Sequence, residues 1–137
     1  MHPDFSEAHV NLGENYVLQG KFPEGIREIR KGIELDTDSE YKATLVWAYM
    51  KSGDTKSAHA ALNDLLKLAK SQYVYSYALA NAYGFVGDKD NCLLWMERAF
   101  ENRDFGLVWA EWYMELPVAI REAPRYREIT KKVRATL

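Results

Sequence analysis

A ten-residue pattern of apolar and polar positions occurs three times along the chain, at residues 12–21, 45–54 and 79–88. Each copy has a leucine, a tyrosine four residues later and a glycine four residues after the tyrosine. Leucine and tyrosine at this spacing lie on one face of a helix, and glycine can adopt the left-handed conformation that ends a helix. The pattern therefore predicts three helices that end at Gly20, Gly53 and Gly87.

A second run of periodic apolar residues follows each glycine, with apolar positions three or four residues apart. These positions are Ile26, Ile29 and Ile33 in the first run, Ala58, Ala61, Leu62 and Leu65 in the second, and Cys92, Met96 and Ala99 in the third. Each unit is thus predicted to be two antiparallel helices joined by a short turn. Because one helical hairpin cannot bury its apolar face alone, we expect the three hairpins to stack.

Over about residues 6–104 the chain resembles the tetratricopeptide repeat (TPR). The matching positions are Leu12, Gly13, Tyr16, Gly25, Ile29 and Gly32, then Leu45, Tyr49, Ala58, Leu62 and Leu65, then Leu79, Ala80, Tyr83, Cys92, Met96 and Ala99. The resemblance implies an all-α fold, a right-handed α-solenoid of three TPR hairpins at about residues 6–38, 39–72 and 73–104.

The chain departs from the family pattern at several positions. The opening aromatic residue is replaced by His9, Lys42 and Ser76, and the closing proline by Thr37, Lys70 and Asp104. Gly25 and Gly32 stand where the family has alanines, and a glycine inside a helix costs about 1 kcal/mol. We therefore expect the second helix of the first repeat to be the least stable part of the array.

Residues 105–137 break the repeat pattern and predict a capping pair of helices, one over 105–115 and a final one that begins at Pro124. The final helix carries an apolar stripe of Tyr126, Ile129 and Val133, with the basic residues on its other faces. At the other end, Pro3 falls where a preceding repeat would close, so we expect this chain to be part of a longer protein.

The last third also resembles the TPR regions that follow cyclase or winged-helix domains in bacterial signalling proteins. The residues that carry this resemblance are Gly87, Asp88, Glu97, Arg98, Ala99, Arg121, Pro124, Arg125 and Tyr126. It implies a bacterial regulatory protein.

Composition argues against several other classes of function. The 18 basic and 20 acidic residues are spread along the chain, without the basic stripe of a nucleic-acid-binding protein. His2, His9 and His59 have no zinc-site spacing, and no phosphate-binding glycine loop is present, so we predict no enzyme, no metal and no cofactor. Cys92, the single cysteine, fits a reducing, cytoplasmic location. No apolar run approaches the ~18 residues of a membrane helix.

In the TPR family the first helix of each repeat lines a concave groove that holds peptides. By position, this implies a lining of Glu7, Val10, Glu14 and Val17, then Glu40, Ala43, Trp47 and Met50, then Val74, Tyr77, Asn81 and Gly84. The positions of the family's carboxylate clamp hold Val10, Glu14, Val74 and Ala78, so we expect no such clamp. Because the implied groove is apolar and aromatic with Glu7, Glu14 and Glu40 along one side, we expect an apolar or basic segment as the ligand. Trp47 has two open interpretations, groove or core. Trp109, Trp112 and Tyr113 are expected to cover the last repeat.

The leading hypothesis is therefore a protein-interaction scaffold within a larger bacterial signalling protein. A second hypothesis is self-association through the apolar face that an uncapped first repeat exposes. A third makes the chain an accessory part of a cyclase-type enzyme.

Overall fold

The computed structural model describes residues 3–36, 39–102 and 116–135, and every regular element in these ranges is an α-helix. The helices are α1 (Pro3–Leu18), α2 (Phe22–Leu35), α3 (Ser39–Ser52), α4 (Thr55–Ser71), α5 (Ser76–Phe85), α6 (Lys89–Glu101), α7 (Val118–Arg121) and α8 (Pro124–Ala135). The predicted all-α class is confirmed, as is the start of the last helix at Pro124. The helix predicted over 105–115 lies outside the described residues. The same is true of the individual positions Thr37, Asp104, Trp109, Trp112 and Tyr113.

The first helix of each hairpin ends in the same way. Gly20, Gly53 and Gly87 have φ angles of 82°, 83° and 82°. The residue after each glycine donates its N–H to the carbonyl of the repeated tyrosine, at N···O distances of 2.8, 3.0 and 2.9 Å. This arrangement is the Schellman motif, which satisfies carbonyls that the end of a helix leaves unpaired. The prediction that these glycines end the first helices is confirmed.

The turns also start the second helices. The carboxylates of Asp54 and Asp88 accept the backbone N–H groups of Ser57 and Asn91, at 3.0 and 3.3 Å, and so cap α4 and α6. In α2 the cap position is Lys21, which makes no side-chain cap hydrogen bond, and a proline stands in the first turn instead.

Helices joined by these turns pack side by side, α1 with α2, α3 with α4, and α5 with α6. The first pair is antiparallel, because Gly32 lies beside Val10 whereas Gly25 lies beside Val17. Neighbouring pairs also touch, through α2 with α3, α3 with α5, and α6 with α8. A continuous hydrophobic core follows from these contacts, and its most deeply buried large side chains include Ile29, Leu65, Met96 and Ile120. The predicted stripe of Tyr126, Ile129 and Val133 on α8 is buried, which confirms it.

Glycines allow an unusually close contact between α1 and α2. A Cβ atom added to Gly25 would lie 2.7 Å from the carbonyl oxygen of Gly13 and 2.6 Å from Cγ2 of Val17. One added to Gly32 would lie 2.8 Å from the carbonyl oxygen of Ser6. The glycines that looked costly from helix propensity alone are thus the residues that let two backbones approach each other.

The face of α1 that corresponds to buried faces of α3 and α5 is exposed. Leu12 is 42% exposed, whereas its equivalent in α5, Leu79, is 2% exposed. Beside Leu12, α1 carries the exposed Asn11 and Asn15. The equivalent positions of the later helices hold buried, less polar residues, namely Thr44, Ala48, Ala78 and Ala82. This face of α1 is therefore partly adapted to water.

Within residues 3–36, 39–102 and 116–135, no helix combines the length and the apolar character needed to cross a bilayer.

The single cysteine supplies a test of the core. Cys92 is fully buried in α6, and burial, with a smaller contribution from the negative charge of Asp88, raises the pKa of its thiol to about 12. Because the thiolate is the reactive form, we expect iodoacetamide at pH 8 to alkylate the native chain about a thousandfold more slowly than the unfolded chain. Mass spectrometry of chain held in buffer and in guanidinium measures both rates. Native alkylation within tenfold of the unfolded rate would contradict this burial.

Candidate functional site

A solvent-open cleft of about 160 Å³ lies between α3, α5 and the segment that leads into α7. The described residues that line it are Trp47, Met50 and Lys51 from α3, Phe85 from α5, and Pro117. The three α3 residues are spaced so that they share one helical face, and Phe85 is the last residue of α5. The cleft therefore lies where two first helices of neighbouring hairpins meet.

The segment before α7 forms one wall of this cleft. Leu116 is buried against α5, where a Cβ added to Gly84 would lie only 2.5 Å from the leucine Cδ2 atom. The Arg121 Nε atom donates a hydrogen bond to the Leu116 carbonyl oxygen at 2.8 Å, which ties α7 to this segment. The predicted groove position Gly84 is thus covered by the chain itself, and Pro117 comes next to it at the edge of the cleft.

The structure brings two of the predicted groove residues, Trp47 and Met50, to this cleft. Trp47 is 4% exposed and belongs to the hydrophobic core, so it is mainly a core residue with one edge at the cleft. Met50 is half-buried. Of the two interpretations left open for Trp47, its burial therefore favours the core.

The other predicted groove residues do not form a continuous open surface. Val10 and Val17 face the glycines of α2 inside the first hairpin and are 2% and 3% exposed. Buried positions are also occupied by Ala43, Val74, Tyr77 and Asn81. On α1, Glu14 is half-buried and Glu7 is exposed, and neither lines the cleft. The side chain of Glu40 lies outside the described part of the chain.

Three cleft residues were missed by the sequence analysis, Lys51, Phe85 and Pro117. A signal for two of them was present, because Lys51 and Phe85 hold the same position in successive repeats, one residue after Met50 and Gly84. In the first repeat that position is Leu18, which is 68% exposed. Pro117 had no such signal, since it follows the repeats.

Lys51 gives the cleft its charge. It is the one ionisable residue among the five described residues that line the cleft, and it stands in the last turn of α3, where a cation is favoured by the helix dipole. Its side chain is exposed, and no acidic group among residues 3–36, 39–102 and 116–135 forms an ion pair with it. The site is therefore an apolar cleft with a cation at its rim.

A larger open depression of about 420 Å³ lies along α2. It is lined by Pro23, Ile26, Arg27, Arg30, Lys31 and Glu34, which share one face of that helix. Two of its cations already have partners, since Arg30 donates to the Tyr49 hydroxyl and Lys31 lies 3.6 Å from Glu28. This depression is a less defined site than the cleft, because all the described residues that line it belong to a single helix.

No three His, Cys, Asp or Glu side chains of residues 3–36, 39–102 and 116–135 come together in a way that could hold a metal ion. No protein-family model matches the chain, and no curated protein matches it either.

Proposed function

We propose that this chain is a TPR-type scaffold, a right-handed solenoid of three helical hairpins with a C-terminal cap, that binds a segment of a partner protein. The observation that carries the proposal is the open apolar cleft between the first helices α3 and α5. Further support comes from the three identical helix ends and from the contacts between successive hairpins. The bound segment lies along the first helices and places an apolar side chain in the cleft.

The setting of this scaffold is a larger bacterial signalling protein, as its regulatory part. The resemblance of the last third to the TPR regions of such proteins supports this setting. The scaffold acts by binding and not by catalysis, because the described residues around the cleft are apolar apart from Lys51 and include no nucleophile paired with a base.

Self-association through α1 has weaker support. Phe5 and Leu12 are 59% and 42% exposed, which leaves some apolar surface for a second copy. However, a second copy would have to bury Asn11 and Asn15 as well, and buried amides need hydrogen-bond partners. The partly polar character of this face favours contact with water.

Selection from a random library of displayed peptides tests the proposed function. Peptides enriched on the whole chain are expected to bind the Met50→Glu variant at least about tenfold more weakly, because a charge in the cleft excludes an apolar side chain. Leu94→Glu is the matched control, since it places the same charge on an exposed position of the second helix α6, outside the cleft. Isothermal titration of synthetic peptides measures the affinities. Either no enrichment, or equal losses in the two variants, would overturn the proposal.

A further inference from the structure

We propose that the cleft selects a bulky apolar side chain with an acidic side chain next to it in the partner segment, and that the acid pairs with Lys51. This inference rests on the proposed function and specifies the ligand of the same site. It differs from the expectation that acidic residues of the first helices would attract a basic segment.

The size of the cleft sets the size of the side chain. An engineered apolar cavity of about 150 Å³ is large enough to bind benzene. The cleft has a volume of about 160 Å³, so it has room for one leucine, methionine or phenylalanine side chain. Trp47, Met50 and Phe85 present aromatic and thioether surfaces, which make favourable contacts with such side chains.

The charge of Lys51 at the rim determines which ligand side chain is favoured next to the bound apolar side chain. Among the described residues that line the cleft, Lys51 alone carries a charge, and no described acidic side chain is paired with it. Of the acidic residues that suggested a basic ligand, Glu7 and Glu14 belong to α1 and do not line the cleft, and the side chain of Glu40 lies outside the described part of the chain. A carboxylate near the bound apolar group therefore meets an opposite charge, whereas a lysine or arginine there meets a like charge.

The carboxylate comes from a side chain of the segment and not from its C-terminus. A terminal carboxylate is usually held by several donors, such as a nest of free backbone N–H groups. Among the described residues of the lining, the rim offers one ammonium group. The α3 residues around it stand far enough into the helix for their own N–H groups to be used in helical hydrogen bonds.

Three small probes that share a phenyl ring and differ in charge test this inference: phenylpropionate, phenylpropionamide and phenylpropylamine. Titrations of the whole chain are followed by amide and indole NMR signals, with the Trp47 indole assigned through Trp47→Phe. We expect the acid to bind about two- to fivefold more tightly than the amide, the range of an exposed ion pair, and the amine to bind most weakly. In Lys51→Gln the acid and the amide should bind alike, while in the control Lys56→Gln, an exposed lysine outside the cleft, the preference should persist.

The outcomes separate this inference from the proposed function. If the amide shifts the Trp47 and Phe85 signals and the acid binds no better, the acidic preference is wrong and the apolar cleft stands. If the acid is preferred equally in wild type and Lys51→Gln, the pairing with Lys51 is wrong. If none of the three probes shifts the signals of the cleft, both the inference and the observation that carries the proposed function fail.

Discussion

Replacing Trp47 by alanine is expected to lower the free energy of unfolding by about 3–5 kcal/mol, the usual cost of removing a large aromatic side chain from a core. The reason is its position, because Trp47 is 4% exposed and packs in the core that joins the second and third hairpins. Guanidinium unfolding followed by circular dichroism at several concentrations measures the change. Trp47→Phe, which retains a smaller ring, should lose less stability and is the variant to use for binding measurements.

Trp95→Ala is the matched control for this experiment. Trp95 is half-exposed on α6, and its ring lies 4.5 Å from the guanidinium carbon of Arg98. Removing it costs a cation–π contact and part of an apolar surface, which amounts to less than a buried tryptophan. Equal losses of stability in the two variants would contradict the assignment of Trp47 to the core. A Trp47→Ala variant that remains as stable as wild type while losing peptide binding would show that Trp47 serves the groove.

Gly25→Ala is expected to destabilise the chain by about 1–3 kcal/mol, the range found when a packed interior receives an extra group. Helix propensity alone predicts the opposite, a gain of about 1 kcal/mol. The packing effect wins because the new Cβ would lie 2.7 Å from the Gly13 carbonyl oxygen and 3.0 Å from the Val17 nitrogen. These are backbone atoms, so the two helices must separate. Thermal unfolding followed by circular dichroism measures the sign.

The control is the equivalent position of the second repeat, Ala58, which is fully buried in α4. Ala58→Gly should cost about 1 kcal/mol or more, since it lowers helix propensity and removes a buried methyl group. Gly25→Ala and Ala58→Gly are thus both expected to lower the stability of the chain, although the two substitutions are opposite. A stabilised Gly25→Ala variant would mean that α1 and α2 can separate without loss.

The predictions from sequence succeeded where the signal lay within one segment. The helix ends at Gly20, Gly53 and Gly87 follow from local backbone chemistry, and the stripe of Tyr126, Ile129 and Val133 follows from the period of one helix. A helix with that period has a single way to bury its apolar side chains. Such features depend little on what the neighbouring elements are.

The predictions were less complete where contacts between different helices determine the environment of a residue. The repeated leucine illustrates this, because Leu12 is 42% exposed and Leu79 is 2% exposed although their local patterns agree. The difference arises from whether another hairpin covers the position. In the same way, no pattern within α2 could show that the backbone of α1 lies against Gly25, and no pattern within α3 could show that Pro117 completes a cleft beside Trp47.

The contact of Leu116 with Gly84 makes the two ends of the binding surface different. If a partner segment lies along the first helices, it meets this leucine beside Gly84 when it extends past α3 onto α5. The length of the bound segment is therefore limited at the end near Leu116 and is not limited at the end toward α1. Extensions of a bound peptide at the end near Leu116 should clash with this residue and weaken binding, whereas extensions toward α1 should be tolerated. The scaffold therefore restricts the length of its ligand at one end only.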